Sequence, residues 1–323
     1  MARGEDRLIV CPSDAAARPE VTIVVIFRDA EDFLEEAIES VRDQTFCAWE
    51  LLLVDDGSSD RSTAMARRYA ADEARSIRYL DHPRHAHLGM SATRNLGVSH
   101  ARGELVGFLD ADDVLVPAAI DEQVTLLRTH PRVGMVYGPL EYWYGWTGEP
   151  RDIARDFVHP LGVPADRMYQ PPSLIARFVA NTGFAPAGML FRKKLFERVG
   201  GFEEAFRDLY EDQVFAAKIC LAAPVYVSGR RWYRYRQHPN ACCQTAQRDG
   251  RMDAAREPFL HWLLEHLQRE GYEGSEAWRA ARAELAAWRT IGRRLSRRLG
   301  RFEVARRLQE ARLGFGTRSG AGP

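Results

Sequence analysis

The first half of the chain alternates between two hydrophobic patterns. Continuous apolar runs, typical of strands buried in a parallel sheet, alternate with stretches whose apolar residues recur every three or four positions, as on one helix face. The runs predict strands at residues 21–27, 50–54, 76–80, 104–109 and 133–137. The periodic stretches predict helices at 32–42, 60–72, 90–101 and 117–129, with Asp60 as the N-cap of the second. This order predicts βαβ units around a mainly parallel sheet, an α/β fold.

The alternation stops at Leu140. An aromatic segment, EYWYGW, is followed by a long stretch to Pro172 without a clear period, which is typical of a functional loop. Shorter elements are predicted at 173–180, 189–191, 194–199, 212–222, 225–227 and 231–236, and helices from 248 onward. We therefore expect a flexible leader at 1–19, a domain at 20–240 made of halves 20–138 and 139–240, a helical region at 241–313 and a disordered tail at 314–323.

The charge of the chain is divided unevenly. All 323 residues together carry 45 basic and 45 acidic side chains, but 279–318 hold twelve arginines and three acids. The remaining body is therefore acidic, which argues against a nucleic-acid-binding protein. No apolar run approaches the ~18 residues of a membrane span, and the N-terminal segment lacks a signal-peptide core. The five cysteines show neither metal-ligand spacing nor a disulfide framework, so we expect a reduced, cytoplasmic protein.

Two acidic groups follow predicted strands, at the sheet edge where open parallel sheets bind ligands. Asp55 and Asp56 follow the second strand, and Asp110, Asp112 and Asp113 follow the fourth. Carboxylate oxygens suit Mg²⁺ or Mn²⁺, and Mg²⁺ usually completes its shell with substrate phosphate oxygens. The alternative is that these acids only cap the following loops. Neither GxGxxG nor GxxxxGK(S/T) follows a strand, which argues against a dinucleotide site and a P-loop.

A third acidic site, Glu211 and Asp212, opens an apolar helical stretch. An acid at a helix start is stabilised by free backbone N–H groups, so capping alone would explain one of them. The same position would hold a carboxylate rigidly enough to abstract a proton. The two interpretations are compatible.

Together these segments resemble the family 2 glycosyltransferases of the GT-A fold over about residues 20–240. The resemblance implies a Rossmann-like, mainly parallel sheet flanked by helices, here with a C-terminal helical appendage. It also implies an inverting enzyme that moves a hexosyl group from a nucleotide-diphosphate sugar, a UDP-sugar as the first expectation, to the hydroxyl of a glycan, lipid-linked or small-molecule acceptor. The matching pieces, in order, are VTIVVIFRDAEDFLEEAIESVRDQT, ELLLVDDGSSDRS, SATRNLGVSHARGELVGFLDADD, MLFRKKLFERVGGFEEAF, YEDQVFAAK and YRYRQHPN.

The resemblance also implies roles for the acids at the strand ends. Asp56, with Asp55, is expected to contact the nucleotide base. Asp110 is expected to contact the ribose or the sugar. Asp112, the last acid of the DxD motif, is expected to bind Mg²⁺ or Mn²⁺.

Further roles fall on residues outside these strand ends. Asp212, beside Glu211, resembles the general base, and Arg94 lies in a segment placed near the donor. His238 resembles a loop histidine that contacts the diphosphate or the metal, the alternative being a packed or surface histidine.

One departure from the family concerns the base site. After the first strand the family usually has Pro-x-Tyr-Asn, where this chain has Ile26, Phe27, Arg28 and Asp29. The usual tyrosine is therefore not available to stack on the base, and we expect Phe27 or Arg28 to supply the planar group instead. Asp29 is expected in the donor site, and the base of the donor could differ from uracil.

The acceptor side and the basic tail leave alternatives. EYWYGW could stack on a sugar or an apolar acceptor, or fill core under the loop, and residues 184–187 could line the cleft floor. The basic C-terminal helices could lie on an anionic membrane at its inner face, or pack on the body or in a homodimer. A non-catalytic nucleotide-sugar-binding protein is the alternative function. A nucleotidyltransferase would need a basic, Gly-rich loop after the first strand, where this chain is acidic.

Overall fold

The structure is a computed structural model that describes residues 19–73, 76–180 and 188–296. The chain forms two compact units that divide between His238 and Pro239. The first unit contains all strands of the described residues, and the second contains the last three helices.

The strands follow the predicted order in the first half and become shorter and more numerous in the second. In chain order they are β1 (Val21–Phe27), β2 (Trp49–Asp55), β3 (Ile77–Asp81), β4 (Leu105–Asp110), β5 (Val114–Leu115), β6 (Met135–Tyr137), β7 (Leu140–Trp143), β8 (Phe157–Val158), β9 (Arg167–Tyr169), β10 (Leu190–Arg192), β11 (Val225–Val227) and β12 (Tyr233–Arg236).

The helices separate these strands and then continue alone. In chain order they are α1 (Leu34–Arg42), α2 (Ser62–Asp72), α3 (Met90–His100), α4 (Ala119–Thr129), α5 (Pro150–Ile153), α6 (Ile175–Ala180), α7 (Lys193–Val199), α8 (Glu211–Ala222), α9 (Cys242–Arg248), α10 (Arg251–Arg269) and α11 (Glu276–Ser296). The elements of the first half begin and end within two residues of the predicted bounds. Asp60 lies one residue before the N-cap Arg61, although its carboxylate accepts a hydrogen bond from the Ser62 N–H at 2.9 Å.

The main sheet has eight strands in the order β3-β2-β1-β4-β10-β6-β11-β9. Its centre is parallel, and both β1 and β2 are buried at every position, which explains their continuous apolar sequence. β10 enters antiparallel between β4 and β6, and β9 pairs antiparallel at the edge. The sheet is therefore mixed, with the parallel β1–β4 region providing the edge at which the acids collect.

A second sheet includes two strands, β7 and β8, from the part that the sequence pattern predicts as a loop. Its four strands run in the order β5-β12-β7-β8, so the aromatic segment EYWYGW begins as strand β7 and pairs in parallel with β12. Strands β7 and β8, of four and two residues, carry too little periodicity to be recognised within this stretch, whereas β12 agrees with the element predicted at 231–236. This small sheet brings β12, more than a hundred residues later in the chain, next to the loop after β4.

The described residues of the second unit, 239–296, form helices α9, α10 and α11, and α10 and α11 are linked by ion pairs. Arg289 Nε donates to Glu257 at 2.8 Å, and Arg256 Nη2 to Glu284 at 3.4 Å. No helix among the described residues is both long and apolar enough to cross a bilayer. The predicted disordered tail and most arginines of 279–318 lie outside the described residues.

The cysteines differ from the expectation of an entirely reduced chain. Cys220 is a buried free thiol, whereas Cys47 is disulfide-bonded, and the expectation is wrong at that residue.

Candidate active site

The carboxyl ends of three neighbouring parallel strands form the floor of the site. The register places Phe27 beside Asp55 across β1 and β2, and Ile26 beside Asp110 across β1 and β4. Because these strands end at the same level, the loops that follow them open at one edge of the sheet. The two predicted acidic groups therefore lie at one edge.

Arg94 connects this edge to the third acidic group. The arginine is carried by α3 and is 6% exposed. Its Nη2 donates to Asp110 at 2.8 Å and its Nη1 donates to Glu211 at 3.0 Å. Residues 94 and 211 are 117 positions apart in the chain, so folding alone brings these groups together.

Charge and burial shift the pKa values of this cluster. Although burial opposes its charge, Asp110 and Glu211 raise the pKa of Arg94, which stays a cation. Burial, and then repulsion by Asp212, raises the pKa of Glu211, while burial raises that of Asp212 against the attraction of Arg94. The two neighbouring carboxyls titrate as one system. They hold protons at a higher pH than ordinary side-chain carboxyls, as suits a group that must accept a proton.

The start of α8 positions the Glu211–Asp212 pair. The preceding residue, Tyr210, has a left-handed backbone at φ 64°, a conformation that a side chain other than glycine adopts only at a cost. Tyr210 is the N-cap but makes no side-chain capping bond, and Asp212 Oδ1 accepts from the Gln213 N–H at 2.7 Å. Glu211 is bound by Arg94, so contacts with the helix start alone do not account for this pair.

The loop after β4 holds Asp112 against His238. The His238 Nε2 lies 3.0 Å from Asp112 Oδ2, and the Asp112 side chain is 28% exposed. Among the described residues, no three His, Cys, Asp or Glu side chains are grouped to hold a metal. One carboxylate and one imidazole suit a divalent cation that takes its other ligands from substrate phosphate and water. The donor set therefore fits Mg²⁺ or Mn²⁺ bound with a diphosphate.

Asp113, in the same loop, is turned inward. Its carboxylate accepts from the Tyr233 hydroxyl and from the Arg236 N–H, both at 2.7 Å. Burial, with Asp112 and Asp110 adding to it, raises the pKa of Asp113 well above its ordinary value. Asp113 thus ties the loop to β12 and is not presented to a ligand.

Asp55 and Asp56 are both occupied by protein groups. Asp55 is fully buried and accepts hydrogen bonds from the turn, from α2 and from β3; its donors are Ser58 N, Thr63 Oγ1 and Tyr79 OH. Asp56 accepts from His87 Nδ1 at 2.8 Å and from the Leu88 N–H at 2.7 Å. Asp55 supports the turn, and Asp56 holds the 87–89 segment. Their contact with a nucleotide base stays a prediction.

The residues after β1 differ in accessibility. Phe27 is 3% exposed and packs in the hydrophobic core, because both faces of β1 are covered, and this burial favours Arg28 over Phe27 as the group that stacks on the base. Arg28 is exposed and keeps that role as a prediction. Asp29, at φ 49°, accepts from the Ser59 N–H at 2.6 Å, and this backbone bond lowers the pKa of Asp29.

The aromatic segment is half-buried and belongs to this region. Tyr142 packs against the core, whereas Trp143 and Trp146 surround Arg236. Arg236 is not among the site residues predicted from the sequence. The alternation of Tyr and Arg in YRYRQH predicts the strand that carries Arg236, but it does not indicate which residues contact this arginine. The predicted cleft floor at 184–187 lies outside the described residues.

The Rossmann-like sheet, with acids gathered at the edge where its parallel strands end, is that of a glycosyltransferase of the GT-A class. The chain belongs to glycosyl transferase family 2, whose model, described as "Glycosyl transferase family 2", matches residues 22–200.

Two relatives agree with this assignment. The uncharacterized glycosyltransferase EpsJ of Bacillus subtilis is 30% identical over 257 residues, which are 78% of this chain and 67% of EpsJ. The O-antigen biosynthesis protein RfbC of Myxococcus xanthus is 27% identical over 258 residues, which are 79% of this chain and 18% of RfbC. The chain thus spans about two thirds of one relative and a small part of the other.

Solved structures show the same fold. TarS of S. aureus, in complex with UDP-GlcNAc, matches with a TM-score of 0.59 and 18% identity over 83% of this chain and 71% of that one. The mannosyltransferase PcManGT of Pyrobaculum calidifontis, in complex with GDP-Man and Mn²⁺, matches with a TM-score of 0.52 and 20% identity over 93% of this chain and 81% of that one.

Proposed function

We propose that this protein is an inverting, metal-assisted glycosyltransferase that moves a sugar from a nucleotide-diphosphate sugar to an acceptor hydroxyl, with Asp212 as the general base. The observation that carries the proposal is the Arg94 bridge, which joins Asp110 at the donor edge to the Glu211–Asp212 pair. This bridge supports the proposal, because it links Asp110 to Glu211, the neighbour of the proposed base, through one guanidinium.

The residues divide the work of the reaction. Arg94 keeps Glu211 in place, and α8 then holds the neighbouring Asp212, whose raised pKa suits proton removal from the attacking hydroxyl. Attack on the side opposite the leaving nucleotide inverts the anomeric centre. Asp112 and His238 would hold Mg²⁺ or Mn²⁺. When bound, the cation would neutralise charge on the diphosphate.

The donor is proposed to be a nucleotide-diphosphate sugar, with a UDP-sugar first among the candidates. TarS was solved with UDP-GlcNAc and PcManGT with GDP-Man, so both bases occur on this fold. A thermal-shift panel of UDP-, GDP- and dTDP-sugars with Mn²⁺ tests the donor. Stabilisation by one base series would identify it, and no stabilisation by any nucleotide sugar would contradict the proposal.

The acceptor is proposed to be a growing envelope polysaccharide or its lipid-linked precursor, because one relative is named for O-antigen biosynthesis. We further propose that the basic helical region contacts an anionic membrane at its cytoplasmic face, as a monomer or a homodimer. Exposed arginines at 279, 282 and 289 of α11 support a contact with anionic lipids. Flotation with phosphatidylglycerol vesicles at low salt, lost at high salt, would support it; absence of flotation at low salt would contradict it.

The general base is tested by replacing Asp212 with Asn. A general base is worth about 10²–10⁴-fold, so Asp212→Asn should lower kcat by that factor in a nucleotide-release assay with donor affinity kept. The matched control is Asp121→Asn, an exposed acid in the first turn of α4, which should leave kcat unchanged. Unchanged turnover in Asp212→Asn would reject the assignment. Donor binding by the wild-type protein without turnover on any acceptor would favour the non-catalytic alternative.

The metal site is tested by replacing Asp112 with Ala. Calorimetric titration of Mn²⁺ into the complex with the stabilising nucleotide should show weaker binding, because the variant loses a carboxylate ligand. Unchanged Mn²⁺ affinity would contradict the assignment of Asp112.

A further inference from the structure

Arg236 is a buried charge at the end of β12, and it is 2% exposed. Its Nε donates to the backbone carbonyl of Asp112 at 2.6 Å, and its own N–H donates to Asp113 at 2.7 Å. Its Nη2 donates to Glu36 on α1 at 2.5 Å. One residue therefore ties α1 and β12 to the two consecutive acids of the loop after β4.

Three aromatic rings enclose the guanidinium. Its central carbon lies 4.6 Å from the ring centre of Trp143, 5.0 Å from that of Phe33 and 5.2 Å from that of Trp146. These distances are within the range of cation–π attraction. We call the three rings and Arg236 the aromatic clamp. Trp143 lies directly across from Arg236 in the β7–β12 pairing, so the second sheet sets the position of the clamp.

The same clamp also holds the other member of the metal-binding pair. The ring of His238 packs on Phe33 at 4.6 Å between ring centres. Trp146 Nε1 donates to the carbonyl of Gln237, the residue before His238, at 2.9 Å. The aromatic clamp therefore contacts both residues. It holds Asp112 through its backbone carbonyl, and it holds His238 through its ring and through the preceding residue, Gln237.

Stability alone does not account for this arrangement. Burying a guanidinium costs solvation free energy, and apolar residues of similar volume often stabilise a core as well or better. The carboxylate that faces Arg236, Glu36, is itself 54% exposed and so offsets that cost weakly. The contacts of Arg236 converge on the loop that presents Asp112. Groups that contact the ligands of a metal, and not the metal itself, orient those ligands in this way.

We infer that Arg236, within the aromatic clamp, is a positioning residue that holds Asp112 and His238 ready to receive the metal–diphosphate group. The inference rests on the proposed function, since it takes these two residues as the metal ligands. It gives the EYWYGW segment a role that neither acceptor stacking nor simple core filling describes.

The test compares Mn²⁺ binding by the wild-type chain and by Arg236→Lys, measured from the free Mn²⁺ signal in electron paramagnetic resonance with UDP and, separately, GDP. Lysine keeps the charge but lacks the planar fork that reaches two acceptors while stacking on rings. We expect Mn²⁺ affinity to fall about 10- to 100-fold, the range for losing a group that orients a ligand. Metal-free nucleotide affinity should stay unchanged.

The matched control is Arg192→Lys, a half-buried arginine of the same unit that donates to the carbonyls of Val133 and Leu127. It should lower the melting temperature similarly and leave Mn²⁺ affinity unchanged. If Arg236→Lys does not fold, Glu36→Gln, at an exposed site, should weaken Mn²⁺ binding in the same direction. Wild-type Mn²⁺ affinity in these folded variants would overturn the inference. Absence of nucleotide-dependent Mn²⁺ binding in the wild type would overturn the metal assignment itself, and the inference with it.

Discussion

Replacing Arg94 with Met would remove the charge that joins the two acidic groups while keeping most of the side-chain volume. Arg94 and Glu211 are 6% and 5% exposed, so the variant leaves a buried carboxylate without its cation. Removing one partner of such a pair typically costs about 3–5 kcal/mol of unfolding free energy. The Asp110 side chain is 41% exposed and regains water, so it adds little. We expect Arg94→Met to lose about 3–5 kcal/mol at pH 8.

The loss should shrink as the pH falls. Burial raises the pKa of Glu211 above its ordinary value of 4.5, and losing Arg94 raises it further. Between the unfolded and the folded pKa the native variant holds more protons than the unfolded chain, so its stability decreases as the pH rises. In acid, the protonated Glu211 no longer needs a cation.

Urea unfolding followed by tryptophan fluorescence at pH 5.5 and pH 8 would measure this. The double variant Arg94→Met/Glu211→Gln should regain part of the stability at pH 8, because it removes the stranded charge. A loss below about 1 kcal/mol at pH 8, typical of an exposed pair, would refute the reasoning. So would a loss that is the same at both pH values, or a double variant no more stable than Arg94→Met.

Three further predictions follow from the site. Because burial raises the pKa of Asp212 above 3.8, the acidic limb of the kcat–pH profile should lie above that value; a limb at or below it would contradict the general-base assignment. Gly57 has φ 79°, and an added Cβ would lie 2.9 Å from the carbonyl oxygen of His85. Gly57→Ala should therefore lower the melting temperature and weaken nucleotide binding in calorimetry. An unchanged melting temperature would contradict this prediction, because it would mean that the turn accepts a Cβ without strain. Phe27→Leu should cost less than about 1.5 kcal/mol in urea unfolding, as a volume-conserving core change, and leave nucleotide affinity intact. Weaker binding in Phe27→Leu, with stability kept, would restore a role for this ring at the base.

The sequence alone determined the parallel half of the fold. Strand β1 is a continuous apolar run because both faces of the central sheet are covered, and this pattern is local. The acids that end β2 and β4, and the Glu–Asp pair at the start of α8, could likewise be predicted, because their positions at element ends follow from the same periodicity. The sequence shows Glu211 and Asp212 as a pair, but it does not show their partner Arg94.

Only the tertiary structure decided which of these residues meet. Arg94 reaches Glu211 across 117 positions and His238 reaches Asp112 across 126, and neither contact leaves a local periodic signal. Strands β5, β7 and β8 of the second sheet have the same property: they are stabilised by pairing with distant segments, so their own residues do not reveal them, whereas β12 was predicted as a strand. The inward turn of Phe27 and the enclosure of Arg236 by aromatic rings follow from that packing. Local hydrophobic periodicity reports which face of an element is buried, whereas the choice of partner depends on how the whole chain fills its core.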